Sequence, residues 1–143
     1  RSQVLNLLLD LKDEFGLTYI FISHDLNVVR FMSDRVMVMY LGKVAEVGPS
    51  EAIFTRPRHP YTEALLASMP SMDPDHRTEE APISGDPPNP INPPSGCRFH
   101  TRCKFTATLC SQAEPPLHDV GGEHLAACHL ANPESGHPRL SLA

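Results

Sequence analysis

The stretch TYIFISHD, residues 18–25, decides how this chain is expected to fold. Its first six residues are almost continuously apolar, β-branched or aromatic, which is typical of a strand buried on both faces of a mostly parallel sheet. Before it, apolar residues recur along residues 4–15 at the spacing of an amphipathic helix, and Gly16 stands where a left-handed helix C-cap belongs. A helix followed by such a strand predicts α/β winding.

The residues after this stretch predict a short helix and a hairpin. Asp25 is suited to cap a helix that runs to about Met32. Arg35–Tyr40 and Val44–Val47 have the composition of two strands, and a tight turn joins them. We expect this hairpin to lie at the edge of the sheet.

The composition changes sharply at residue 48. Residues 1–48 hold 26 apolar side chains and no proline, whereas residues 49–143 hold 32 apolar side chains and all 15 prolines. The second part predicts two short helices, then a stretch rich in proline that favours extended chain over packed elements. The last eleven residues are expected to fray.

Charge and hydropathy exclude several classes of protein. Seventeen acidic and twelve basic residues give a net charge of −5, which disfavours an electrostatic nucleic-acid binder. No apolar run reaches the roughly 18 residues that span a bilayer, and no leader peptide is recognisable. These features predict a soluble cytosolic protein. Because Arg1 lies inside a predicted helix, we also expect the chain to be a fragment.

The four cysteines cluster in one segment, with the pattern Cys97-x5-Cys103-x6-Cys110-x17-Cys128. None of the intervals is the short knuckle usual in structural zinc sites. Disulfides are disfavoured in a reducing compartment. Four thiolates also suit an iron–sulfur cluster, which has no universal ligand spacing. From this chemistry alone, a cluster, zinc and free thiols remain comparable alternatives.

Other polar side chains surround these cysteines. The histidines are expected to lie at the surface or behind the ligands, because four cysteines already complete a ligand set; they are His100, His118, His124 and His129. The cations are expected to offset the negative charge of a thiolate-bound group; they are Arg98, Arg102 and Lys104.

His24 is the candidate ligand-binding residue of the first part. It follows the predicted strand and precedes a helix, at the edge where open α/β sheets bind ligands. A histidine there can present a ring nitrogen to a phosphate. The competing interpretation is a surface histidine beside Asp25 acting as a helix cap.

A longer set of motifs carries a family resemblance. Residues 19–26, followed by 33–39 and 42–43, resemble the tail of the nucleotide-binding domain of ABC transporters. The match continues through PRHPYT at 57–62 and PPSGCRF at 93–99, which are similar to the C-terminal extension of ATPase subunits from oligopeptide/dipeptide importers.

This resemblance covers about residues 1–130 and implies the architecture. The implied fold class is α/β, a C-terminal remnant of an ABC-type nucleotide-binding domain followed by a short helical, proline-rich extension with a four-cysteine lobe. The expected segments are the nucleotide-binding domain part at 1–48, the helical extension at 49–72, the proline-rich linker at 73–95, the four-cysteine lobe at 96–130 and a tail at 131–143.

The resemblance also implies the function and the cofactors. The full-length subunit would couple ATP hydrolysis, with Mg, to peptide uptake at the inner face of the cell membrane. His24 would contact the γ-phosphate of ATP, as a catalytic and nucleotide-binding residue. The implied ligands of a 4Fe-4S cluster, with zinc as the alternative, are Cys97, Cys103, Cys110 and Cys128.

The implied partners are a paired ATPase subunit, membrane-spanning permease subunits and, indirectly, a peptide-binding protein, but no nucleic acid. The sequence contains no G-x-x-x-x-G-K-[ST] phosphate loop and no Ser-Gly-Gly signature. We therefore expect this chain alone to be inactive. The alternative function is an independent metal-binding or redox-sensing module built on the four cysteines.

Overall fold

The computed structural model describes residues 2–69 and 91–142. The chain divides into two compact units, Arg1–Asp34 and Arg35–Ala143. The sequence boundary expected at residue 48 therefore falls inside the second unit. Most of the expected proline-rich linker, residues 73–90, lies outside the described residues.

The first unit contains two helices, α1 (Ser2–Phe15) and α2 (Leu26–Met32). Gly16 ends α1 with a φ of 63°, as its C-cap position predicts. The Asp25 carboxylate caps α2, because it accepts hydrogen bonds from the backbone N–H groups of Asn27 and Val28.

The strand predicted at Thr18–Ser23 is not formed. The segment pairs with no strand among the residues that the structure describes, and Ile20 and Ile22 are each 93% exposed. A doubly buried strand needs a hydrogen-bonded neighbour on each edge and a layer on each face. Tyr19 is the side chain of this segment that holds it to α1, through a 2.9 Å hydrogen bond from its hydroxyl to the Leu8 carbonyl.

The second unit is built on a four-stranded sheet. Its strands are β1 (Arg35–Tyr40), β2 (Lys43–Pro49), β3 (His118–Gly121) and β4 (His124–Ala126). The order is β1-β2-β4-β3, and each neighbouring pair is antiparallel. The predicted hairpin is confirmed, but the expected parallel winding is not found among the described strands, since all three pairings are antiparallel.

The β1–β2 turn has the backbone that a tight hairpin requires. Leu41 and Gly42 have φ values of 48° and 78°, as in a two-residue turn whose twist matches that of the strands. The other end of the hairpin continues directly into helix α3 (Ser50–Thr55). This continuity brings the segment after β2 back over the sheet.

Short helices follow the hairpin: α4 (Pro60–Ala67), α5 (Thr108–Gln112), and the 3-10 segments His129–Ala131 and Pro138–Leu142. Pro60 occupies the first position of α4, where its fixed φ suits the start of a helix. Among the described residues, no helix combines the length and apolarity that a membrane-spanning segment needs.

An aromatic cluster joins the hairpin, α4 and the cysteine segment. The ring centroids of Tyr40 and Tyr61 lie 4.6 Å apart, and each lies 5.3 Å from that of Phe99. Phe99 is 3% exposed. Since these rings come from three different segments, the extension and the cysteine segment pack on the sheet rather than forming a separate lobe.

Candidate functional site

One cavity in the second unit is lined by all four cysteines of the chain. All four are free thiols. The other lining side chains are apolar, aromatic or imidazole groups: His59, Pro60, Phe99, His100, Phe105, His129, Leu130 and His137.

Gly96 allows the first and third cysteines to approach each other. It has a φ of 67°, and a Cβ atom there would lie 2.3 Å from the Cys110 carbonyl oxygen. In its place, the Cys97 N–H donates to that carbonyl at 2.7 Å. The glycine therefore sets the loop before Cys97 directly against α5, which carries Cys110.

The other two cysteines are held by different segments. The sulfur of Cys103 accepts a hydrogen bond from the Phe105 N–H at 3.3 Å. Cys128 follows β4 and precedes the 3-10 segment, where its carbonyl accepts from the Ala131 N–H at 3.0 Å. The cavity thus gathers thiols from a loop, a turn, a helix and the end of a strand.

The cavity disfavours ionised thiols. Burial raises the pKa of Cys97 to about 11 and that of Cys128 to about 12, and it also raises the pKa of Cys103. Repulsion from neighbouring cysteines adds to each increase; for Cys128 the neighbours are Cys97 and Cys103. These three thiols are therefore protonated at neutral pH and need a cation to ionise.

The four cysteines have the chemistry of metal ligands, but their arrangement is not that of a metal site. Four soft sulfur donors around one cavity suit a metal cluster. However, within residues 2–69 and 91–142, no group of three or more His, Cys, Asp or Glu side chains is arranged to hold a metal ion. The structure therefore does not support the expected 4Fe-4S cluster or zinc beyond the grouping of the donors.

The histidines near the cysteines are fastened to the backbone. His100 Nδ1 donates to the Cys97 carbonyl at 2.7 Å, and His129 Nε2 donates to the Ala113 carbonyl at 2.8 Å. His118 is half-buried on β3. His124 and His129 are buried, so of the two expected placements, at the surface or behind the cysteines, the surface is excluded for those two.

A buried carboxylate, which the sequence did not reveal, organises the entry to α4. Glu46 is fully buried on β2 and accepts hydrogen bonds from the backbone N–H groups of Arg58 and His59, at 2.8 and 3.0 Å. His124 Nε2 also donates to it. A glutamate in a strand usually faces solvent, so its sequence pattern carried no sign of this role.

His59 is held in its neutral form. Burial lowers its pKa to about 4. Its Nδ1 accepts a hydrogen bond from the Tyr61 N–H at 3.0 Å, which caps α4, and the Ala127 carbonyl faces the ring. Position 59 directly before Pro60 was the sequence signal for this cap.

The cations of the cysteine segment have mostly structural contacts. Arg98 donates to the Leu41 carbonyl, and Arg102 donates to the Tyr40 hydroxyl at 3.4 Å. These two arginines therefore tie the segment to the β1–β2 turn. Lys104 lies 5.0 Å from the centre of the Phe105 ring, and its charge favours the thiolate of Cys103.

His24 lies in the first unit, exposed, immediately before the cap of α2. Ser23 Oγ accepts a hydrogen bond from the Asp25 N–H at 3.0 Å. This turn fixes the backbone on both sides of His24 and leaves its ring open to a ligand.

The family comparison identifies the segment that carries the cavity. Residues 45–110 match the family described as the oligopeptide/dipeptide transporter, C-terminal region. The match covers 66 of the 143 residues of the chain. The matched residues include Glu46, His59 and three of the four cysteines, whereas Cys128 lies beyond them.

Relatives extend the similarity along the chain. The chain is 50% identical to the dipeptide transport ATP-binding protein DppF of Escherichia coli over 139 residues, 97% of this chain and 41% of that protein. It is 52% identical over 128 residues to a putative peptide import ATP-binding protein of Brucella ovis, 90% of this chain and 40% of that protein. A probable peptide ABC transporter ATP-binding protein of Sinorhizobium fredii is 48% identical over 133 residues, 93% of this chain and 38% of that protein. The chain thus spans about two fifths of the length of these relatives.

Proposed function

We propose that this chain is the C-terminal part of the ATP-hydrolysing subunit of a peptide ABC importer. The observation that carries the proposal is the 50% identity to a dipeptide transport ATP-binding protein over 97% of the chain. The match to a transporter C-terminal region supports it. These relatives are named as transport or import proteins, so the alternative of an independent metal or redox module gains no support from them.

The proposed whole protein uses ATP and Mg at the cytoplasmic face of the membrane. It works with a paired ATPase subunit and membrane-spanning permeases, and a peptide-binding protein delivers the substrate. This chain contributes neither the phosphate loop nor the signature motif. We expect it to be unable to hydrolyse ATP alone, because catalysis of phosphoryl transfer rests on positioning and charge stabilisation by those parts.

His24 is the residue of this chain proposed to act on the nucleotide. Its exposed ring stands on a backbone fixed by Ser23 and by the cap of α2. A ring nitrogen held in this way can donate to a γ-phosphate oxygen as charge develops there. The proposed role is thus to position and stabilise the phosphoryl group rather than to take part in covalent chemistry.

The four cysteines are proposed as ligands of a 4Fe-4S cluster. Their grouping around one cavity supports this assignment. A bound cluster would supply positive charge that stabilises the thiolates. The cavity residues around it would exclude water, and each of the four thiols would release its proton on binding.

The test of the proposed function uses the full-length subunit, assembled with its partners in membrane vesicles. His24→Ala should lower kcat for ATP hydrolysis at least tenfold with little change in nucleotide affinity, because its contact strengthens as charge develops. Asn27→Ala is the matched control, since Asn27 is exposed on α2 and its backbone N–H, rather than its side chain, donates to the Asp25 cap.

Two outcomes would contradict the proposal. One is weaker nucleotide binding with unchanged kcat in the His24→Ala subunit. This result would mean that His24 contributes to binding ATP in the ground state and not to stabilising the transition state. The other is vesicles whose ATP-driven uptake of labelled dipeptides and oligopeptides does not depend on this subunit.

A further inference from the structure

The segment after residue 134 forms part of the wall of the cysteine cavity. His137 is 3% exposed and lines the cavity together with the four cysteines. The sequence predicted a frayed end here, and the structure instead continues into the 3-10 segment Pro138–Leu142. A buried imidazole so close to a chain end requires specific partners.

Both ring nitrogens of His137 have a partner. Nε2 donates to the Phe105 carbonyl at 2.9 Å, and Nδ1 accepts from the Arg139 N–H at 3.2 Å. The tautomer with its hydrogen on Nε2 satisfies both bonds. His137 therefore connects the chain end to the turn that follows Cys103.

Phe105 carries this connection to a cysteine. Its carbonyl is held by His137, while its N–H donates to the sulfur of Cys103 at 3.3 Å. The Arg139 guanidinium also lies over the Phe105 ring, 4.6 Å from its centre. The backbone N–H, the carbonyl and the ring of Phe105 therefore all help to fix the turn at Cys103.

The other end of the segment is anchored beside a second cysteine. Ser135 Oγ donates to the carbonyl of His129, the neighbour of Cys128, and accepts from the His137 N–H at 3.3 Å. The segment Ser135–Arg139 therefore bridges the parts of the chain that carry Cys103 and Cys128. This bridge is made by side chains and backbone groups of the chain itself.

We propose that His137 is a positioning residue for Cys103. It holds the turn at Cys103 through Phe105 and thereby fixes the shape of the cysteine cavity. The inference goes beyond the proposed transport function and does not rest on it. Removing the imidazole frees the Phe105 carbonyl, and the turn then opens locally while the sheet keeps its own hydrogen bonds.

The test is amide hydrogen exchange of the full 143-residue chain, measured as purified without oxygen. His137→Ala should speed exchange in residues 101–106 by roughly tenfold, the effect of one lost hydrogen bond to a buried carbonyl. Exchange in the β1–β2 hairpin should not change. His137→Gln should restore slow exchange, because its side-chain amide keeps a donor near the position of Nε2.

Glu134→Ala is the matched control, because Glu134 is exposed directly before this segment. If the His137→Ala chain does not fold, His137→Phe carries the same test with the same expected roughly tenfold change, because a phenyl ring fills the space of the imidazole but donates no hydrogen bond to the Phe105 carbonyl. Unchanged exchange there, an equal increase in the hairpin, or a Gln variant that behaves like the Ala variant would overturn the proposal.

Discussion

At the scale of single residues, Gly96 is the position where the cysteine site depends on the absence of a side chain. Glycine is required there for two reasons. Its backbone is left-handed, and a Cβ atom would lie only 2.3 Å from the Cys110 carbonyl oxygen. Gly96→Ala should therefore destabilise the chain by more than the roughly 1–2 kcal/mol of left-handed backbone alone. The measurement is the free energy of urea-induced unfolding.

Gly122→Ala separates the cost of the left-handed backbone from the cost of the steric clash. Gly122 has a φ of 65°, but a Cβ atom there meets nothing within 4 Å. It should show the backbone cost only. Equal losses of stability in the two variants would mean that the close approach of Gly96 to α5 does not matter.

His59 predicts how stability depends on pH. Its pKa is lowered from 6.5 to about 4 in the folded chain, mainly by burial. The unfolded state therefore binds more protons between these values, and stability should fall as the pH drops from 6.5 to 4, by about 3 kcal/mol from this group. The full contribution is present above pH 6.5.

The check is the unfolding free energy between pH 7 and pH 4. His59→Asn should flatten this dependence, because asparagine can also cap a helix but does not titrate. His118→Asn is the matched control, because it makes the same change of side chain at a half-buried position on β3. A slope that persists in the His59→Asn chain would contradict the assignment.

At the scale of elements, Glu46 joins β2 to the start of α4 and to β4. Its carboxylate is buried with His124 and accepts two backbone N–H groups. Glu46→Gln should cost about 3 kcal/mol of stability, because it leaves buried donors without their acceptor. Urea-induced unfolding would measure this loss.

A double-mutant cycle with His124→Ala tests whether the pair acts as a unit. We expect the two losses to be strongly non-additive, since each substitution removes the same interaction. Glu123→Gln is the control, because its ion pair with Arg35 is long, 3.8 Å, and exposed, and such pairs contribute little. Additive losses at Glu46 and His124 would contradict the coupling.

The elements also show which parts of the fold could be predicted from the sequence. The β1–β2 hairpin could be predicted, because its turn and its strand pairing involve residues that are close in sequence. The predicted strand at Thr18–Ser23 has the right composition, but pairing needs partner strands that the described chain does not place beside it. Strands β3 and β4 were missed because they are short, and because β4 pairs with β2 across a sequence separation of about 80 residues.

At the scale of the whole molecule, the clustering of the cysteines in one segment and the family resemblance predicted one shared site, and all four cysteines do line one cavity. The wall residues outside the cysteine segment were not predictable, because nothing in the sequence pattern of His59, Pro60 and His137 connects them with the cysteines. Buried His137 is the clearest example. His24 was readable from its place before α2, while its proposed role depends on the family resemblance.

The cluster proposal can be tested because the four thiols must lose their protons to bind a metal. Because the pKa values of Cys97 and Cys128 are raised to about 11 and 12, a bound metal group must supply the charge that ionises them. Protein purified without oxygen should be brown and contain iron and acid-labile sulfide in equal amounts. Each Cys→Ser substitution should remove the colour.

Ser111→Ala is the matched control, since Ser111 neighbours Cys110 on α5 and donates to the Thr108 carbonyl. It should leave the iron and sulfide content unchanged. Binding should also weaken as the pH falls, because protons compete with the metal for the same sulfurs. Stoichiometric zinc without sulfide would replace the cluster by a zinc site, and protein free of both metals would leave the cavity as a packed thiol core.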